Sequence, residues 1–148
     1  MGTNPVLAQL PEITRDAGTY VLEVFLSTSE QIRVGKIGVK GFQAGYYYYV
    51  GSAFGPGGLR ARIRHHAGHS RRKHWHIDYL SELAELQSVF FVADTQRFEH
   101  EWAQRLMSLA LLNIPVKGFG ATDCHCLSHL FYSAETVDLA QILRRPDE

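Results

Sequence analysis

The sequence predicts a small single-domain α+β fold with a central three-stranded antiparallel sheet flanked by helices. Three observations lead there. Tyr20 to Leu26, Gln31 to Val39 and Tyr46 to Val50 are runs rich in β-branched and aromatic residues, joined by links so short that an antiparallel meander is the simplest connection. Gly55-Pro56-Gly57-Gly58 forces a turn, and Leu59 to Gly68 behind it sets Leu59, Ile63 and Ala67 on one helical stripe. A chain of 148 residues that is 45% hydrophobic has enough apolar material for one ordinary core and too little for two domains.

Residues 1–15 read as an irregular lead-in, because Pro5 and Pro11 oppose a continuous helix, and 16–148 as the domain proper. After the first helix, Ile77 to Leu86 carries a second helical pattern and Ser88 to Ala93 a short apolar strand. Asp94 or Thr95 is the expected N-cap of a helix from Gln96 to Leu112, with the stripe Phe98, Trp102, Leu106 and Leu109, which Pro115 and Gly118 end. Leu130 to Tyr132 reads as an edge strand and Thr136 to Arg144 as a last helix closed by Pro146. No apolar run approaches the roughly 18 residues of a membrane helix, and Met1 to Leu10 lacks the features of a secretory signal, so a cytoplasmic location is expected. The only cysteines, Cys124 and Cys126, are too close in sequence for an easy disulfide, which fits a reducing compartment.

Lys+Arg and Asp+Glu both number 15, so total charge says nothing of a polyanionic partner. The distribution is more informative. Between Arg60 and His76 lie Arg60, Arg62, Arg64, Arg71, Arg72, Lys73 and the histidines His65, His66, His69, His74 and His76, with no acid. Such a segment can attract phosphate locally, although a run of this kind also serves as an ordinary solvated surface.

Strand alternation puts Tyr47 and Tyr49 on one face and Tyr46 and Tyr48 on the other. Gly51 follows Tyr49 and allows a ligand or a helix to approach the backbone. On the following helix Arg62, His66 and His69 flank the apolar stripe, where Arg62 can clamp a phosphate and His66 can pass a proton. Arg60 and Arg64 on the other flank suit backbone contacts to a nucleic acid. The later helix offers Glu99 and Glu101 as a rigidly held carboxylate for Mg²⁺, and helical geometry alone does not choose between them. Cys124-His125-Cys126 with His129 has zinc-type donors at a spacing unlike that of structural zinc sites. His74-Trp75-His76 is open to either reading, substrate contact or helix entry.

Taken in order, Gly18-Thr19-Tyr20, Tyr49-Val50-Gly51, Arg62, His66 and a helical Glu resemble the GIY-YIG nuclease superfamily. The blocks Tyr49-Val50-Gly51-Ser52-Ala53, His74 to Leu80, Gly118 to Cys124 and Ser128-His129-Leu130 are similar, more closely, to its DUF123 branch. The resemblance implies a metal-dependent DNA endonuclease, with Mg²⁺ or Mn²⁺ as cofactor, acting in DNA repair or processing. On that pattern Tyr20 and Tyr49 position or deprotonate water, Arg62 stabilises the transition state, His66 assists and Glu101 holds the metal. Gly51, Ser52, Arg60, Arg64, His74 and His76 would contact substrate. The implied partners are DNA, branched or damaged forms included, and a DNA-repair protein, with no membrane. Four features depart from the pattern: Thr19 stands in place of Ile, the hairpin between the tyrosine motifs is long, Ser52 replaces a common lysine, whose charge His74 or Lys73 would supply, and the asparagine that often closes the superfamily core has no clear counterpart, Asn113 being available while Asp123 and His129 lie in the block similar to the DUF123 branch. Two other readings stand beside the nuclease: a catalytically inactive nucleic-acid-binding module on the same scaffold, and a zinc-stabilised interaction domain built on Cys124, Cys126 and His129.

Overall fold

A computed structural model describes residues 5–68, 73–121 and 126–143. The class is α+β with an antiparallel sheet, as expected, but the sheet has four strands instead of three. Its order is β5 (Glu85–Ala93), β1 (Gly18–Leu26), β4 (Gly45–Ala53), β6 (Leu130–Ser133). The segment expected to be the middle strand folds separately. β2 (Glu30–Val34) and β3 (Gly38–Phe42) pair with each other as a second, two-stranded sheet, the chain breaking between them at Gly35–Ile37. This hairpin accounts for the long link between the tyrosine motifs, and it leaves β1 free to pair directly with β4 over its whole length, Gly18 opposite Ala53 and Leu26 opposite Gly45.

Strand alternation then sorts the side chains. Tyr20, Leu22, Tyr47 and Tyr49 enter one core, and Val21, Tyr48 and Val50 enter the other. The first core is closed by α2 (Gly58–Ala67) and α3 (His76–Ser81), through Leu59, Ile63, Ile77 and Leu80, none of which is measurably exposed. Full burial of one such side chain is worth about 1.5–3 kcal/mol, enough in sum to fix the orientation of a ten-residue helix. The second core is closed by α4 (Glu99–Met107) and α5 (Leu139–Leu143), with Phe98, Trp102 and Leu106 as the buried stripe.

Several boundaries differ from the sequence expectation, among them the start of β5, at Glu85 and not Ser88. The described part of the lead-in is helical: α1 (Pro5–Gln9) and a 3₁₀ turn at Leu10–Glu12 bury Val6, Leu10 and Ile13 against the first core. Pro5 and Pro11 stand at the starts of these turns, where the missing N–H has no helical partner to lose. The pattern from Ile77 to Leu86 divides, because the chain leaves the helix after Ser81 and Leu86 joins β5 opposite Val24. α4 begins at Glu99, later than Gln96, since Asp94 Oδ1 takes the Gln96 N–H in a local turn at 2.8 Å, and it ends at Met107, short of Leu112, where the chain passes into turns such as Leu109 N–H to Leu106 O at 3.2 Å. The last helix starts at Leu139 and not Thr136, and Pro146 lies outside the described residues. Among the described residues no helix is long and apolar enough to cross a membrane.

Candidate functional site

A cleft of about 540 Å³ is lined from the sheet by Tyr20, Tyr49, Gly51 and Ser52. The α2–α3 side adds Arg62, His74, Trp75 and His76, and the α4 side adds Arg97, Glu99 and His100, with Gly120 and His129 between. Register explains the first group. Tyr20 pairs with Gly51, and a Cβ on Gly51 would stand 2.5 Å from the Tyr20 hydroxyl, so the glycine makes the space that the phenol occupies. Gly120 does the same for Tyr49: its φ of +70° and a would-be Cβ 2.9 Å from Tyr49 Cε1 both exclude a side chain.

Behind the cleft Tyr20 Oη lies 2.7 Å from His66 Nε2, with the Arg62 guanidinium nearby. Burial pushes the Tyr20 pKa well above its ordinary value, with the neighbouring Tyr49 adding to it and Arg62 opposing, so the group is a neutral phenol. Tyr49 is likewise held protonated, by burial first and then by Glu99. His66 moves the other way: burial lowers its pKa, against the opposing pull of Asp78, and keeps the imidazole neutral. A protonated phenol facing a neutral imidazole donates to Nε2, which leaves the imidazole proton on Nδ1. Asp78 Oδ1 lies 3.8 Å from that nitrogen.

Asp78 organises this wall. It accepts the N–H groups of His74 at 2.8 Å and Trp75 at 3.0 Å, capping the start of α3, and both its oxygens lie 3.1 Å from His65 Nε2. The Trp75 ring so placed carries Arg62, whose Cζ lies 4.3 Å from the ring centroid. His76 Nδ1 accepts the Gly120 N–H at 2.8 Å, so the neutral ring carries its proton on Nε2, and burial lowers its pKa in the same sense.

The opposite wall is built from short polar side chains. Thr19 pairs with Ser52 and so shares its face of the sheet, the face that meets α4. The Thr19 hydroxyl is buried and accepts the Phe98 N–H at 3.2 Å, pinning the first turn of α4 beside β4. Glu99, first in that helix, therefore reaches Ser52 and His129, whose Nδ1 lies 2.8 Å from Glu99 Oε2. Burial alone would raise the Glu99 pKa, but hydrogen bonds from His129 and Ser52 and the nearby His100 outweigh it and hold the carboxylate ionised. An ionised carboxylate and a hydroxyl at an open cleft are the hard oxygen donors that Mg²⁺ takes, with water and phosphate filling its remaining positions.

Of the residues expected from sequence, Tyr20, Tyr49, Gly51, Ser52, Arg62, His74 and His76 meet in the cleft, with His66 directly behind Tyr20. Glu101 does not. Its side chain is 55% exposed and pairs with Arg105 at 3.8 Å, because it leaves α4 on the side away from Ser52 and His129. Arg60 is spent on the lead-in, donating to Ile13 O at 2.7 Å and Pro11 O at 3.2 Å, and Arg64 is exposed outside the cleft. Lys73 pairs with Glu82 and lies over Tyr79, whereas His74 lines the cleft, as does Arg97, which sits 4.1 Å over Phe54. Cys126 and His129 approach His100, while Cys124 lies outside the described residues, as do His69, Arg71, Arg72 and Asp123.

Sequence reasoning missed Asp78, Arg97 and His100, and did not foresee that His129 meets Glu99. Asp78 alone had a readable signal: an acid three residues after Trp75 is at the helix position that accepts the N-cap N–H.

The family described as "Domain of unknown function DUF123" matches residues 19–146, nearly the whole chain, and the protein belongs to that family. Comparison with curated proteins and with solved structures finds no match.

Proposed function

We propose that this DUF123 protein is a metal-dependent nuclease of the GIY-YIG type that hydrolyses DNA phosphodiesters. The observation that carries the reading is the buried contact of Tyr20 Oη with His66 Nε2 at 2.7 Å, beside Arg62 and across one cleft from an ionised Glu99. A phenol is a poor base near neutral pH because its anion is too costly to form in a buried site. Paired with His66 it need not become an anion. As the attacking water gives its proton to the Tyr20 oxygen, Tyr20 passes its own proton to His66 Nε2, and Asp78 faces the imidazolium that results. The water oxygen bonds to phosphorus, the opposite P–O bond breaks, and the leaving oxygen takes a proton from the water-filled cleft.

Arg62, steadied on Trp75, meets the charge that gathers on the phosphate oxygens, and His76 Nε2–H and Arg97 are further donors lining the cleft. Glu99 and Ser52 would hold Mg²⁺ or Mn²⁺, which supplies Lewis-acid polarisation of the phosphate. Glu99 thus takes the part that the resemblance gives to Glu101.

The test is a panel of labelled duplex, branched, flapped and single-stranded DNAs incubated with Mg²⁺, Mn²⁺ or EDTA, comparing wild type with Tyr20→Phe. Metal-dependent cutting that Tyr20→Phe loses supports the nuclease. Salt-sensitive binding without cutting across the panel would instead identify a non-catalytic nucleic-acid-binding module.

A further inference from the structure

We infer that His100, Cys126 and His129 form a binding site for a borderline-soft divalent cation, zinc above all, at the rim of the cleft and distinct from the oxygen donors of Glu99 and Ser52. The inference does not rest on the nuclease reading. One ligand atom from each residue lies within 4.8 Å of the other two, and His100 Nδ1 is 3.2 Å from Cys126 Sγ. A tetrahedral zinc with bonds of about 2.3 Å to sulfur and about 2.0 Å to nitrogen sets those two donors roughly 3.5 Å apart, so small side-chain shifts suffice for coordination.

The donors are chemically matched. A thiolate and two imidazoles favour zinc over Mg²⁺ or Ca²⁺, which take oxygen. They come from two rigidly held segments: His100 from the first turn of α4, and Cys126 with His129 from the strand approach, where the His129 backbone bonds Val50 and Phe119 at 2.9 and 2.8 Å. His129 carries a second, independent sign. Its Nδ1 lies 2.8 Å from Glu99 Oε2, so the ring sits against a carboxylate, the kind of neighbour that commonly orients a ligating histidine. Cys126 is partly exposed and His100 exposed, so an ion can enter from solvent. Three protein ligands leave the fourth tetrahedral position to water or another donor. A filled site would also fix the ring that holds Glu99 in place.

The rival account of the 3.2 Å contact is a metal-free thiol–imidazole hydrogen bond, and cobalt distinguishes the two. The full chain is stripped of metal and titrated with Co²⁺ in reducing buffer. One Co²⁺ per chain should bind with thiolate-to-cobalt charge-transfer absorption and the intense visible bands of a tetrahedral ion; Zn²⁺ should displace it and Mg²⁺ should not. Cys126→Ser should lose the charge-transfer band, and His100→Ala should weaken Co²⁺ binding by about tenfold or more, with circular dichroism confirming both folds. Absence of the band in wild type, or an undiminished band in Cys126→Ser, overturns the site. Because no DNA enters the experiment, its failure is separate from failure of the nuclease reading.

Discussion

The two faces of the four-stranded sheet serve the cleft by opposite means. On the α2–α3 face, Tyr20 and His66 are buried and held neutral by that burial, and aromatic rings and Asp78 fix their geometry. On the α4 face, Glu99 stays charged at a partly exposed helix start because His129, at 2.8 Å, and Ser52 stabilise the carboxylate. The contrast sets a neutral phenol–imidazole pair and an anion around one cleft: desolvation keeps the first uncharged, and polar contacts preserve the charge of the second.

Arg62, a cation stacked on Trp75 beside the buried face, gives the largest way to break the contrast. Arg62→Ala should lower kcat for cleavage by about 10²–10³-fold with little change in the circular dichroism spectrum. Arg62→Lys should recover only part of this, since it keeps the charge but not the planar group that stacks on Trp75.

Gly51→Ala tests the packing that places the phenol. Its Cβ would collide with Tyr20 Oη, and denaturant unfolding should show a loss of about 1–3 kcal/mol together with impaired cleavage. Asp78→Asn keeps the shape and removes the charge. A loss of about 1.5–3 kcal/mol in unfolding free energy is expected from weakened bonds to His65, His74 and Trp75.

A pH series sharpens the comparison. The folded His66 pKa lies below the value near 6.5 of the unfolded chain, so the unfolded state binds more protons once the pH falls below that value. Stability tied to His66 is therefore complete above about pH 6.5 and declines toward acid, by at most about 1.4 kcal/mol per pH unit for one proton. The wild-type slope of unfolding free energy against pH should exceed that of His66→Gln between about pH 6.5 and 5. Smallest of all, Glu101→Gln should change stability by less than ~0.5 kcal/mol and leave cleavage unaltered, since its partner is a surface arginine.

The buried face was largely legible in the sequence. Strand alternation sent Tyr47 and Tyr49 to one side, the stripe of Leu59, Ile63 and Ala67 located α2, and the spacing of Arg62 and His66 set both at the margin of that stripe. These are local periodicities, and local geometry fixes them. The other face was not legible for the same reason. Choosing Glu99 over Glu101 requires the rotation of α4, which is set by Thr19, nearly eighty positions earlier in the chain, through its bond to Phe98. The strand expected at Gln31 to Val39 failed similarly, because alternation marks a strand without saying which sheet it joins. The bonds of Arg60 were not legible because its partners, the carbonyls of Pro11 and Ile13, lie nearly fifty positions earlier in the chain.

Side-by-side assay of Glu99→Gln and wild type across a Mg²⁺ titration, on whichever DNA the wild type cuts, tests the central claim most directly. The account predicts that Glu99→Gln, folded as wild type, loses cleavage by on the order of 10³-fold at every Mg²⁺ concentration. Wild-type turnover in Glu99→Gln would contradict it.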